Sequence, residues 1–223
     1  MVKSESSKKT GVGIFGGTFN PIHLGHLIIA ENSREKLNLK KIIFVPSCYP
    51  PHKKTPEIGA SHRYQMAKLA ISPNPYFVLS AIEVKRKNKS YTIDTIRALK
   101  KLYSKEKNFY FILGLDAYLA INTWKDIEKL AGLVKFVVVK RPGYQGDTSC
   151  QVATSSPPLC FAKRSSGDFL AMTPKFKNVR FLDLGPIGIS STEIRKRIKE
   201  KKSVRYLLPK NVMDYIFQHH LYE

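Results

Sequence analysis

The chain has 223 residues, 43% of them hydrophobic and 11% aromatic, enough to bury one α/β core and too few for two comfortable domains. Its 38 Lys and Arg against 17 Asp and Glu give a formal charge of +21, which points to polyanions (nucleotides, nucleic acid or an anionic surface) unless it is simply solvated lysine. No apolar run approaches the roughly 18 residues of a membrane span, and three cysteines without a CxxC pair argue against a structural zinc or a disulfide framework and for a reducing compartment.

Residues 1–10 are polar, lack the apolar stretch of a signal peptide and are expected to be a disordered basic leader; residues 11–223 then form a single domain, expected in the cytoplasm. Val12-Gly13-Ile14-Phe15 has the length and composition of a strand, and Leu27 to Leu37 has helical spacing at Leu27, Ala30, Arg34 and Leu37. Between them lies Gly16-Gly17-Thr18-Phe19-Asn20-Pro21-Ile22-His23-Leu24-Gly25-His26, at a strand-to-helix turn where open α/β sheets bind phosphates. The two glycines let backbone approach a ligand, and His23 and His26 share a face near the helix start. A metal site built on those histidines would need further ligands, and no nearby Cys or Asp supplies them. Lys41 to Pro46 reads as a second buried strand, followed by a Pro50-Pro51-stiffened loop that carries His52 and Lys53 to the carboxyl end of the sheet. A helix over 61–71 and a strand over 76–80 come next. Ser90 to Thr95 opens a helix, with Thr92 or Asp94 as ordinary cap candidates.

Phe109 to Gly114 is the fourth strand, ending at Gly114-Leu115-Asp116, and the single tryptophan, Trp124, follows in a short helical region. Leu133 to Val139 is the fifth, closed by a turn at Arg141-Pro142-Gly143. Residues 144–175 are rich in Ser, Pro and Gly without sustained periodicity, which suggests a mobile insertion or lid. A last strand over 179–184 runs into Ile189-Ser190-Ser191-Thr192-Glu193-Ile194-Arg195, where Ser190 and Glu193 fit a capping box. That helix start offers free N–H groups, hydroxyls and a guanidinium, a second phosphate site. Residues 190–223 form a closing helical segment. The alternation of strands and helices predicts a Rossmann-like open parallel sheet with helices on both faces.

Taken as a set, these motifs resemble the nucleotidyltransferase superfamily, whose ATP signature is shared in looser form with class I aminoacyl-tRNA synthetases. Within it they are most similar to the nicotinate mononucleotide adenylyltransferases. The resemblance covers Gly13 to Tyr222 apart from the insertion. It implies ATP contacts from Gly16, Gly17, Thr18, Phe19, His23, His26, Ile189, Ser190, Ser191, Thr192 and Arg195, with His23, His26 and Lys53 closest to the chemistry. It implies a pyridine-nucleotide pocket lined by His52, Lys53, Tyr91, Thr92, Asp94, Thr95, Gly114, Asp116, Trp124 and Arg141, in which the indole stacks on the nicotinate ring. Two positions depart from the family pattern: Asn20, where bacterial members commonly carry Asp, and Lys125, where a second aromatic often follows the Trp.

The implied reaction is adenylyl transfer. The 5′-phosphate of nicotinate mononucleotide attacks the α-phosphate of ATP in line and pyrophosphate leaves, with Mg²⁺ carried on ATP and catalysis resting on positioning and charge stabilisation. Nicotinamide mononucleotide, or another phosphorylated acceptor such as pantetheine phosphate, is the alternative substrate. A reading of a different class is a basic RNA-binding protein on a nucleotidyltransferase-like scaffold, favoured by the charge but lacking an aromatic RNA-recognition signature. Nucleic acid is otherwise expected only as a non-specific partner, no membrane partner is expected, and homo-oligomerisation stays open.

Overall fold

The computed structural model describes residues 11–48, 56–86, 89–139, 162–163, 169–170, 176, 178–185 and 187–223. In chain order its elements are β1 (Val12–Gly17), α1 (Leu24–Lys36), β2 (Lys41–Pro46), α2 (Ala60–Ile71), β3 (Phe77–Leu79), α3 (Thr92–Leu102), β4 (Phe109–Gly114), α4 (Leu115–Leu119), a 3₁₀ turn (Ile121–Thr123) and α5 (Ile127–Leu133). Then come β5 (Lys135–Val139), the short pair β6 (Ala162–Lys163) and β7 (Phe169–Leu170), β8 (Val179–Leu182), α6 (Ser191–Lys199) and α7 (Lys210–Gln218). Six strands form one sheet in the order β3-β2-β1-β4-β5-β8, and every neighbouring pair is parallel. This is the doubly wound, Rossmann-like sheet expected from the sequence.

Why the strands read as continuous apolar runs is clear from the two layers they separate. Odd and even positions point to opposite faces. Phe15, Ile42, Phe44, Ile112 and Val137 pack under α1, α2, α6 and α7, where Ile29, Met66, Ile194, Val212 and Ile216 are buried. Ile14, Ile43, Val45, Phe111 and Val138 face the other way, onto Ile93, Ile96 and Leu99 of α3 and Leu130 of α5. Burying such side chains on both faces contributes about 25 cal/mol per Å² of apolar area, which is why these short strands need no alternation to be stable.

Some boundaries differ from expectation. Helix α1 starts at Leu24, three residues before Leu27, because the His23–His26 pair caps it. Neither Thr92 nor Asp94 caps α3; its N-cap is Tyr91, since Asp94 faces Arg97 at 3.9 Å and Thr92 is already inside the helix. Leu133 ends α5 and does not open β5, the chain turning extended only at Val134. The last strand stops at Leu182 because the Asp183 carboxylate accepts the Gly185 N–H at 3.0 Å and turns the chain. Within 144–175, where no element is expected, β6 and β7 pair antiparallel. The leader 1–10 lies outside the described residues. Among the described residues no helix is long and apolar enough to cross a membrane.

Candidate active site

The strand order reverses between β1 and β4, the place where an open α/β sheet leaves a crevice beyond its carboxyl ends. Register brings the loops there together: Gly17 lies opposite Pro46, Phe15 opposite Ile112 and Gly114 opposite Val139. The first loop is shaped from within. A Cβ on Gly17 would lie 2.8 Å from the Phe19 ring, so glycine is what lets Phe19 fold back, at a left-handed φ of 48°. The Phe19 ring, 2% exposed, then packs edge-on against Phe15 and His26 at 5.7 and 5.1 Å. At Gly16 a Cβ would make only ordinary contact with Phe111 at 3.5 Å, so packing alone does not demand glycine there.

His23 and His26 occupy the cap and third position of α1. Their rings stack at 3.7 Å with 30° between planes, and both are buried. The His23 backbone N–H donates to His26 Nδ1 at 3.2 Å. An accepting Nδ1 places the proton of the neutral imidazole on Nε2, so His26 is oriented as an Nε2–H donor.

The second motif reaches the first. Ser190 accepts the Glu193 N–H at 3.2 Å, the N-cap half of the expected capping box, while the Glu193 carboxylate faces Arg197 at 4.0 Å. Ser191 Oγ donates to the Pro21 carbonyl at 2.9 Å, and Arg195 Nη1 donates to the Asn20 carbonyl at 2.8 Å. Arg195 Nη2 also reaches Thr192 Oγ1 at 3.4 Å. Ile189 and Ser190 are half-buried, Thr192 exposed. The N-terminus of α6 is thereby pinned beside the turn that precedes α1, two helix starts with their positive ends at one crevice.

The residues expected to line the acceptor pocket are less uniformly placed. Tyr91 and Thr92 sit half-buried at the start of α3, and the Lys125 ammonium lies 4.6 Å over the Tyr91 ring. Trp124, half-buried, meets Phe111 edge-on at 5.9 Å. Asp116 is exposed at the end of β4, two residues beyond Gly114. Asp94 faces Arg97 on the outside of α3. Thr95 is 3% exposed, and its hydroxyl is committed to protein: it donates to Glu83 Oε1 at 2.7 Å and accepts from Arg86 Nη1 at 2.8 Å. It holds the first turn of α3 in place from beneath. His52, Lys53 and Arg141 lie outside the described residues.

Three residues with no role in the sequence reading frame this region. Glu83 is buried and its carboxyl is pushed above the ordinary 4.5 by burial, against the Thr95 hydroxyl and the Arg86 guanidinium, which pull it down. A group whose native pKa is raised contributes stability that is complete below 4.5 and is lost as pH rises through the native value. Glu83→Gln removes that titration while keeping an oxygen to accept from Thr95. In thermal melts at rising pH from 4.5 upward, the variant is expected to gain on the parent protein. A deficit of the variant that widens as pH rises would show that the bonds to the charged form outweigh its burial.

Tyr222, 2% exposed, donates its hydroxyl to Asn20 Oδ1 at 2.7 Å. Burial pushes its phenol far up, although Arg195 and Arg63 pull it down, so it remains a neutral donor. Asn20, one of the two departures from the family pattern, therefore has a structural partner. The third is Arg63, 1% exposed, whose guanidinium ends among backbone carbonyls of the same loops. A signal for it exists in the sequence. Arg63 falls on the stripe of Met66, Ala67, Ala70 and Ile71, all buried in α2, and a cation on an apolar stripe needs a specific set of acceptors.

Comparison with known proteins bears on this arrangement. Residues 14–197 match the family model described as cytidylyltransferase-like. A protein of Moorella thermoacetica named as a probable nicotinate-nucleotide adenylyltransferase is 42% identical over 212 residues, 95% of this chain and 91% of its own. One of Thermus thermophilus with the same name is 41% identical over 211 residues, 95% and 98% of the two chains. Among solved structures, the Plasmodium falciparum nicotinic acid mononucleotide adenylyltransferase complexed with NaAD superposes with a TM-score of 0.71. That match spans 96% of this chain and 97% of that one at 21% identity. It establishes the fold.

Proposed function

The chain belongs to the nicotinate-nucleotide adenylyltransferase family within the cytidylyltransferase-like group, and from that premise we propose how its site works. The enzyme joins the AMP moiety of ATP to nicotinate mononucleotide, giving nicotinate adenine dinucleotide and pyrophosphate, a step of NAD biosynthesis. The acceptor 5′-phosphate oxygen forms a bond to the α-phosphorus of MgATP as the bond to the β-phosphate bridging oxygen breaks in line. Both electrons of that bond leave with pyrophosphate. Mg²⁺ enters as part of the substrate, its shell completed by phosphate oxygens and water. The protein's share is position and charge.

The observation that carries this reading is the contact between the two ATP motifs, Ser191 and Arg195 of α6 on the carbonyls of Pro21 and Asn20. It supports a single triphosphate site bounded by both. Gly16, Gly17, Thr18 and Phe19 present backbone to the phosphates. His23 and His26 stabilise the charge that grows on the leaving pyrophosphate. Ile189, Ser190, Ser191, Thr192 and Arg195 hold the β/γ end. Trp124, Tyr91, Thr92, Gly114 and Asp116 face the pyridine nucleotide, with Asp94 and Thr95 supporting α3. For His52, Lys53 and Arg141 the support is the family resemblance alone.

The direct test is pyrophosphate release from MgATP with nicotinate mononucleotide and nicotinamide mononucleotide offered separately. Release with the acid form, at a kcat/KM above that with the amide, is the expected result. No release with either acceptor sinks the assignment of the pyridine pocket and turns attention to other phosphorylated acceptors or to RNA.

A further inference from the structure

Arg63 is the largest fully buried side chain among the described residues. Among the described residues no carboxylate lies within ion-pair distance of it. Its guanidinium is instead satisfied by four backbone carbonyls: Nε donates to Ile58 at 3.1 Å, Nη1 to Thr18 at 2.7 Å and to Ser47 at 2.6 Å, and Nη2 to Cys48 at 3.2 Å. These acceptors belong to three segments. Thr18 is in the ATP-motif turn after β1, Ser47 and Cys48 begin the loop after β2, and Ile58 precedes α2 itself.

As a means of stability the arrangement is costly twice over. Burial pushes the guanidinium below its usual range, the mark of a cation desolvated without a countercharge. Its backbone also sits in the first turn of α2, the end of a helix where the dipole disfavours positive charge. A Met or Leu on this stripe would pack α2 more simply. What an apolar residue lacks is the reach to two loops at once. Nη1 alone joins the two loops, through Thr18 and Ser47, while Nη2 and Nε extend the fork to Cys48 and Ile58; a lysine ammonium, with three donors on one nitrogen, cannot serve all four carbonyls in that fixed geometry. The two loops already touch through the Ser47 N–H, which donates to the Gly17 carbonyl at 2.9 Å. Arg63 braces that junction from behind.

We propose that Arg63 is a positioning residue that sets the spacing between the ATP-motif turn and the loop leaving β2, and so the alignment of the two substrates those loops serve. The inference rests on the adenylyl-transfer reading for its catalytic consequence, and on geometry alone for the coupling of the loops. Arg63 touches no substrate; it acts through the carbonyls it holds. Its loss therefore leaves the binding groups in place and disturbs their mutual register. A displacement on the order of 1 Å in such a register costs about 100-fold in rate.

The test has two arms. In the unmutated protein, native-state hydrogen exchange at low denaturant is expected to show residues 16–22, residues 45–48 and the start of α2 opening together, with one dependence on denaturant. Independent opening of the two loops overturns the coupling whatever the variants do. In Arg63→Lys, exchange is expected to quicken in both loops together. In the same variant kcat for pyrophosphate release falls about 10- to 100-fold, while KM for ATP and for the acceptor each stay within about threefold. A variant that melts earlier yet keeps its kcat per folded molecule shows a merely structural arginine and overturns the proposal. If the unmutated protein releases no pyrophosphate, the function reading falls while the exchange experiment still decides the coupling.

Discussion

Replacing His26 with alanine is expected to lower kcat for pyrophosphate release by about 10²–10³-fold, with KM for nicotinate mononucleotide little changed. The magnitude follows from how the ring is held. Its Nδ1 accepts the His23 backbone N–H at 3.2 Å, one face stacks on His23 at 3.7 Å, and Phe19 meets it edge-on at 5.1 Å. A donor fixed on three sides in a site shielded from water costs no reorganisation when charge moves onto the leaving pyrophosphate, which is where electrostatic stabilisation is strongest. Alanine removes the donor and also leaves the His23 N–H without its acceptor at the mouth of α1. His26→Gln separates the two effects. The amide keeps a donor near the same place but not the stacked ring, and is expected to recover part of the loss. Steady-state rates within tenfold of the parent for His26→Ala would show that the triphosphate is stabilised elsewhere.

Arg195→Ala is expected to reduce kcat/KM for ATP by about 100-fold, mainly through KM. Two roles converge in this side chain: a cation at the N-terminus of α6, and a latch whose Nη1 holds the Asn20 carbonyl at 2.8 Å. Arg195→Lys restores charge without the forked span to Thr192 and Asn20, so it is expected to recover less than half of the lost binding free energy. Titration with a non-hydrolysable ATP analogue reads this directly. An unchanged affinity in Arg195→Ala would confine the residue to holding the turn and remove it from the list of phosphate ligands.

Much of the local geometry around this candidate site is legible in the sequence, for a definable reason. Where chemistry requires a backbone conformation and a side chain at neighbouring positions, as in Gly17 to His26 or Ser190 to Arg195, the information is local and appears as a motif. Buried parallel strands such as Ile42 to Val45 are similarly local, since each residue must be apolar for its own face. What escaped reading depends on partners far along the chain. Tyr222 carries no local signal; its hydroxyl lies 2.7 Å from Asn20, 202 positions away. Thr95 is expected in the pocket with the rest of its motif, but its hydroxyl donates inward to Glu83 and accepts from Arg86. Arg63 carried a faint local trace, a cation on an apolar stripe, but which carbonyls it serves is a property of the tertiary fold. Residues 144–175 gave no pattern because Ser, Pro and Gly specify no single periodicity.

The turn formed by Thr18, Asn20 and Pro21 receives hydrogen bonds from Arg63, Ser191, Arg195 and Tyr222. Contacts spanning 45, 170, 175 and 202 positions can form only after large loops have closed, and loop closure is the slow, entropically opposed part of folding. Three of the four donors lie on or beyond α6, so this turn is fully braced only in a molecule whose C-terminal helices have docked. Intermediates that have built the sheet but not docked the C-terminal helices would carry the glycine-rich motif without affinity for ATP. Ligand affinity then belongs to the native state alone, so cellular ATP acts as a stabiliser by mass action, shifting the folding equilibrium by RT ln(1 + [L]/Kd). The substrate that the finished protein consumes would in this way also favour its maturation.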